Sequence, residues 1–239
     1  MSSPFKLDHV ALGLRRMSDA LPLVRDLLGG VYVAEMPEGG FRWTQWRFAN
    51  GGVLELLEPD GPPGGFLHRF LEARGPGFHH VTFKVPDLAA AAARSEGLGY
   101  DIVGYNDSQP MWKEAFVHPR QAMGIVVQLA ESHENWPVPG DPADAASILA
   151  LRLVARDPAA ARRLWGALLG GSESDEDGTL CFRWQDSPIA VRVELDAQAP
   201  DDGPRRLEIG CERRLDLPDG SYPELGAAFV QVGAQGGIA

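Results

Sequence analysis

The sequence predicts an α+β fold built from paired βαβββ units, and three observations carry that expectation. Two short apolar strands each open on a histidine, Asp8-His9-Val10-Ala11-Leu12-Gly13-Leu14 and Gly77-Phe78-His79-His80-Val81-Thr82-Phe83-Lys84-Val85. Each is followed by a helical pattern and then by strands that close in a hairpin. Farther on, Leu168-Leu169-Gly170-Gly171 repeats Leu27-Leu28-Gly29-Gly30, which marks a third copy of the unit.

In the first unit, Ser18 or Asp19 caps a helix whose apolar positions include Leu21, Val24, Leu27 and Leu28, and Gly29-Gly30 stops it. A short strand spans 31–34. Strands at 41–49 and 53–58 flank Asn50-Gly51-Gly52, a hairpin signal because those residues tolerate positive φ. A turn-rich connector, 59–65, leads to a short linking helix over 66–73. The second unit has the same order: strand 79–85, helix 87–97, and strands near 100–103, 112–117 and 125–130. Gln45 to Glu55 and His118 to Gln128 are both ten residues apart, which predicts equivalent cross-strand pairs. Units 5–60 and 77–131 therefore make one domain over 1–131, and the Pro- and Asp-rich stretch 132–147 reads as a linker. The third unit, 148–239, has a strand at 148–155, a helix at 158–169 and strands at 179–185, 189–195 and 206–211. Ala150 stands where His9 stands in the first copy, so this copy keeps the fold signal without the ligand. Asp175-Glu176-Asp177 reads as a solvated loop and the glycine-rich end from Gly233 as frayed.

Side chains alternate faces along a strand, and both histidine strands obey the same parity. Val10, Leu12 and Leu14 oppose His9, Ala11 and Gly13; Val81, Phe83 and Val85 oppose His80, Thr82 and Lys84. One face of each packs under a helix, and the other faces would form a cup with two imidazoles in it. His79 falls on the helix side, where packing or support of its neighbour is expected. Trp43, Gln45 and Arg47 share one face; if they line the cup, they offer a stacking surface and an anion clamp. Trp112 and His118 are their candidates in the second unit.

Composition narrows the partners. A formal net charge of −11 with no basic cluster argues against nucleic acid and anionic membranes, leaving a small molecule as the expected ligand. No apolar run is long enough to span a bilayer, and the opening Met1-Ser2-Ser3-Pro4-Phe5-Lys6 lacks the apolar core of a secretory signal, so a cytoplasmic location is expected. Cys181 and Cys211 are too few and too far apart for a disulfide scaffold and read as small buried apolar residues.

The segments Leu7-Asp8-His9-Val10-Ala11, Leu54-Glu55-Leu56-Leu57-Glu58-Pro59, Gly77-Phe78-His79-His80-Val81 and Phe116-Val117-His118-Pro119, with Val126-Val127-Gln128-Leu129, together resemble the vicinal-oxygen-chelate superfamily. That superfamily includes glyoxalase I, methylmalonyl-CoA epimerase, extradiol dioxygenases and bleomycin-resistance proteins, and the likeness is closest to the glyoxalase and epimerase branch. The resemblance implies a metal-binding cup that takes one ligand from the first strand and one from the last strand of each unit. Carried over by position, these are His9 and Glu55, then His80 and Gln128. Two nitrogens and two oxygens suit one divalent ion such as Zn, Mn, Fe, Co or Ni. The chain departs from the epimerase in having Gln128 in place of a glutamate, and Gln45 near where a further acid/base glutamate is expected. An amide cannot take a proton at ordinary pH, which leaves Glu55 as the expected base. The implied function is a metal-dependent lyase or isomerase of the glyoxalase type on a small oxygenated, anionic substrate. The alternatives are a non-catalytic binding protein like the bleomycin-resistance branch and an extradiol-type dioxygenase. The third unit either forms a partial second cup or mediates association, a homodimer being one outcome.

Overall fold

Alternating apolar strands in the first half pair into one sheet, and the computed structural model, which describes residues 5–133, 139–218 and 220–233, gives their order. The strands of the first unit are β1 (Lys6–Gly13), β2 (Val31–Glu38), β3 (Phe41–Arg47) and β4 (Val53–Pro59). Helix α1 (Phe66–Arg74) links them to β5 (Gly77–Lys84), α2 (Leu88–Gly97), β6 (Ile102–Asn106), β7 (Trp112–Val117) and β8 (Val126–Ser132). The sheet order is β2-β3-β4-β1-β5-β8-β7-β6. The first and last strands of each unit are parallel neighbours, and their registers match. His9 stands opposite Val53 and Ala11 opposite Glu55; His80 stands opposite Val126 and Thr82 opposite Gln128.

The second half repeats this plan in a second sheet. Its elements are β9 (Ser147–Ala155), α3 (Pro158–Ala161) running into a π-helical turn over Arg162–Leu168, β10 (Ser172–Glu176), β11 (Thr179–Arg183) and β12 (Ala190–Leu195). Then come β13 (Gly203–Gly210), β14 (Ser221–Tyr222) and β15 (Ala227–Val232), and the order is β10-β11-β12-β9-β13-β15-β14. This is the first sheet's order without its last strand. The stretch over 206–211 therefore does not close the third unit: Leu207 pairs in parallel with Phe229 much as Val81 pairs with Val127, so β13 opens a fourth, reduced copy. Among the described residues no helix joins β13 to β14, which is why no helical period betrayed this copy in the sequence. The acidic run is a turn only at Asp177. Asp175 and Glu176 end the edge strand β10, and Glu176 bridges Arg183 at 2.7 Å and Arg192 at 2.8 Å. The chain end beyond Gly233 lies outside the described residues.

The repeated Leu-Leu-Gly-Gly closes both helical turns with the same hydrogen bonds. Leu28 N–H reaches Leu23 O at 2.8 Å and Gly30 N–H reaches Val24 O at 2.9 Å; Leu169 reaches Leu164 at 3.0 Å and Gly171 reaches Trp165 at 2.9 Å. The first of each pair is an i to i−5 bond, so the expected α-helices finish as π turns, Pro22–Leu27 and Arg162–Leu168. Pro22, which has no N–H, separates the first π turn from a 3₁₀ turn at Met17–Ala20. Both matches hold at one offset, Leu28 to Leu169, which sets Ala150 of β9, 1% exposed, at the place of His9.

By internal packing the chain divides into two compact units, each assembled from separate segments. One comprises Met1–Asp8, His80–Trp136 and Leu151–Arg205. In its core Phe83 of β5 meets Trp184 at 4.9 Å and Trp165 at 6.5 Å between ring centres, and Arg94 of α2 caps the carbonyls of Ala167 and Leu168. The other comprises His9–His79, Pro137–Ala150 and Arg206–Ala239. There, the end of the expected linker is bound in place: Ala146 exchanges hydrogen bonds with Leu28 and Ala49, and the Asn50 side chain donates to Ile148 O at 2.7 Å. Residues 134–138 lie outside the described residues. Cys181 is buried and Cys211 only partly so; both are free thiols.

Two features give measurable expectations. Gly226, at φ +57°, lies so close to Pro76 that a Cβ would stand 1.7 Å from its carbonyl oxygen. Gly226→Ala combines left-handed strain with a backbone clash and is expected to cost at least about 2 kcal/mol in urea unfolding. Glu131 accepts from Lys113 Nζ at 2.6 Å and from the N–H of Leu88, which opens α2, at 2.9 Å. The lysine first, then the helix N–H, hold its pKa at about 2, below the ordinary 4.5. A depressed folded pKa stabilises above the unfolded value and loses that contribution as pH falls through the folded one. Glu131→Gln should therefore lower the unfolding midpoint at pH 7, with the gap to the parent closing between about pH 4.5 and pH 2.

Candidate metal centre

The β1–β4 register puts His9 and Glu55 on one face of the sheet, and the structure brings them together. His9 is 1% and Glu55 7% exposed, with His9 Nε2 3.5 Å from Glu55 Oε2. Two ligand atoms each about 2.0–2.2 Å from one divalent ion stand roughly 3.0–3.5 Å apart, so this pair has the separation of shared ligands. Gln45, directly opposite Glu55 on β3, donates its Nε2 to Glu55 Oε2 at 2.9 Å. The side chain the sequence marks as a missing base is the hydrogen-bonding partner of the carboxylate beside it.

The rest of that half is apolar. Leu67 and Leu71 of α1 pack with Ala11 and Leu57, and Phe41, Trp43 and Phe70 close against them. Ala11 and Leu57 share strand parity with His9 and Glu55, so the linking helix covers the ligand-bearing face of this half. Trp43 belongs to that packing. His79 meets the rings of Phe66 at 5.4 Å and Phe70 at 4.9 Å, and burial pushes its pKa down to about 4, which keeps it neutral at pH 7. Arg47 is engaged by Asp141, Nε to Oδ1 2.7 Å, a carboxylate 94 residues away in sequence. Its guanidinium is thus held by the protein's own anion.

The β5–β8 half repeats the register with different chemistry. His80 is 7% and Gln128 8% exposed, on one face by register. Thr82 Oγ1, fully buried between them in sequence, donates to Gln128 Oε1 at 2.5 Å. Gln128 Nε2 in turn donates to Glu114 Oε2 at 2.7 Å, and the Trp112 indole N–H donates to the same oxygen at 3.0 Å. Lys84 lies over the Trp112 ring at 3.8 Å. Trp112 therefore reaches the site through Glu114, a residue the sequence did not single out.

The ten-residue equivalence does not hold at this hairpin. Gln45 faces Glu55, whereas Gln128 faces Phe116, because the β7–β8 connection is two residues longer than the β3–β4 turn. His118 lies beyond the end of β7, partly exposed, its Nδ1 accepting from the Arg120 N–H at 3.2 Å. Counted from the longer connection, Glu114 takes the place of Trp43, and that count is the signal that could have found it.

Among the described residues, His9, Glu55 and His80 form a group that could hold a metal ion, with donor atoms all within 4.8 Å of one another. Two imidazole nitrogens and a carboxylate oxygen are a donor set that zinc and the first-row divalent ions accept, and the amide oxygen of Gln128 is a further hard donor. The residues present fit such an ion. No helix among the described residues is long and apolar enough to cross a membrane.

Comparison with known proteins agrees with this geometry. Residues 8–116 match the family model of the glyoxalase/bleomycin resistance protein/dioxygenase superfamily. An uncharacterized Bacillus subtilis protein, YqjC, is 30% identical over 135 residues, 53% of this chain and 91% of the relative. An ethylmalonyl-CoA/methylmalonyl-CoA epimerase from Cereibacter sphaeroides is 28% identical over 137 residues, 53% of this chain and 97% of the relative. In fold, a mutant of 4-hydroxymandelate synthase from Streptomyces coelicolor superposes with a TM-score of 0.66 at 14% identity, covering 88% of this chain and 72% of that one. With strand register, site geometry and a relative matched over nearly its whole length in agreement, the chain belongs to the glyoxalase/bleomycin resistance protein/dioxygenase superfamily.

Proposed function

We propose that this protein is a metal-dependent isomerase or lyase of the glyoxalase type that removes a proton next to a carbonyl of a small, oxygenated, anionic substrate. The observation that carries this reading is the His9–Glu55 pair, with its 3.5 Å separation, repeated in register by His80 and Gln128. His9, Glu55 and His80 would hold a divalent ion, with Gln128 Oε1 as a fourth donor. When bound, such an ion polarises a chelated substrate oxygen and acidifies the adjacent C–H. Glu55 is the carboxylate within this set, and it takes the proton. Gln45 holds Glu55 Oε2 through its N–H at 2.9 Å, which steers the group without competing as a base. Leu67, Phe70 and Leu71 of α1 pack with Ala11 and Leu57 on this side. The epimerase among the relatives supports a carbonyl substrate with an acidic α-proton.

The purified chain should bind about one divalent ion. His9→Ala and His80→Ala should each abolish it, while His79→Ala should retain it, as measured by metal analysis after dialysis. In the metal-loaded protein Glu55→Gln should cut turnover by at least about 100-fold, the usual cost of losing a general base. The panel to try is 2-oxoaldehyde hemithioacetals, 2-methyl-branched acyl thioesters and catechols. Turnover of catechols alone would replace proton transfer by ring cleavage. Turnover of none, with Glu55→Gln still binding a panel compound as tightly as the parent, would make the chain a sequestering protein.

A further inference from the structure

Each half of the site contains the same amide–carboxylate hydrogen bond, with the roles exchanged. In the first, the residue at the ligand position is the carboxylate, Glu55, and Gln45 on the neighbouring strand supplies the N–H, at 2.9 Å. In the second, the residue at that position is the amide, Gln128, and Glu114 on the neighbouring strand supplies the carboxylate, at 2.7 Å. We propose that Glu114, held by Trp112, is a positioning residue that fixes the Gln128 amide with its oxygen toward the metal centre. This rests on the metal-site reading above.

The chemistry leaves one orientation. A side-chain amide can turn over, exchanging its oxygen and nitrogen, and only the oxygen ligates a cation. Thr82 cannot choose between the two, since its hydroxyl both donates and accepts. Glu114 can. The Trp112 indole N–H is a donor only, so the Glu114 oxygen that receives it at 3.0 Å is an acceptor, and the same oxygen takes Gln128 Nε2. Turning the amide over would set its oxygen against that carboxylate, two acceptors with no proton between them. With Nε2 fixed, Oε1 is directed to the Thr82 side of the amide, where the hydroxyl fills one of its two lone pairs. The other is available to a cation on the face that Thr82 shares with His80. Trp112 and Gln128 both donate to Glu114 Oε2, so the acceptor that fixes the amide is set at that one oxygen. A neutral ligand is thereby made to behave as reliably as a charged one.

The test is titration of the metal-free chain with Co(II), following its visible absorption, which reports affinity and ligand number. Glu114→Gln keeps size but replaces an acceptor-only carboxylate with an amide that can turn its own N–H toward Gln128, so the orientation is no longer imposed. It should raise the Co(II) dissociation constant about 10- to 100-fold, as losses of ligand-orienting partners do, with a changed spectrum. Adding Gln128→Glu to Glu114→Gln should restore affinity, because a carboxylate offers an oxygen either way round. Trp112→Phe should weaken binding in the same direction and serves if Glu114→Gln does not fold. An unchanged dissociation constant and spectrum in Glu114→Gln would overturn the inference while leaving the metal site standing. A loss that the double variant does not repair would also overturn it, because the damage would then be general. A parent chain that binds no Co(II) would refute the metal reading and this inference with it.

Discussion

The register of two parallel strand pairs is the constraint on which the site depends. In β1–β4 and β5–β8, the first strand of a unit lies beside its last, and the residue two past each histidine faces the second donor: Ala11 with Glu55, Thr82 with Gln128. Because side chains alternate, a slip of one residue in either pair would carry Glu55 or Gln128 to the opposite face of the sheet. The apolar alternation of Leu54, Leu56, Val127 and Leu129, all fully buried, penalises such a slip at every second residue. Placement of the candidate ligands is therefore a by-product of core formation.

What could be read from the sequence was whatever depends on local period. That His9 shares a face with Glu55, and His80 with Gln128, was legible because parity and duplication are properties of short stretches. Glu114 was not, because its position depends on the length of the β7–β8 connection, and two extra residues there move Phe116, not His118, opposite Gln128. Arg47 was misjudged for a different reason. Its partner, Asp141, is 94 residues distant, and no local pattern announces an ion pair of that span. The cover supplied by α1 was equally hidden: Leu67 and Leu71 look like any amphipathic helix until Ala11 and Leu57 are found beneath them. The π turns at 22–27 and 162–168 escaped notice because π and α turns bury nearly the same residues.

The second sheet shows how far a copy of the unit can drift while its strand order persists. The third copy keeps its strand order and its helix-closing Leu-Leu-Gly-Gly, yet Ala150 replaces the histidine. The fourth, among the described residues, has no helix and one strand fewer, and keeps the parallel β13–β15 pairing. Among the described residues, adjacency of the first and last strands, not the helix, is the part of the unit that every copy preserves. In the β13–β15 pair, Leu207, Ile209 and Phe229 pack at 0–1% exposure.

The division into two compact units, each drawn from both halves of the sequence, bears on how the chain is made. When residue 133 leaves the ribosome, both site-bearing repeats exist, but Phe83 still lacks Trp165 and Trp184, and Asn50 still lacks Ile148. At about 5–20 residues per second, the remaining hundred or so residues take roughly 5–20 s to appear. During that interval the nascent sheet offers uncovered apolar faces, a state prone to association with its neighbours or to capture by holding chaperones. His9 and His80 are thus synthesised before the aromatic rings that pack against Phe83 and before the Ile148 carbonyl that Asn50 binds.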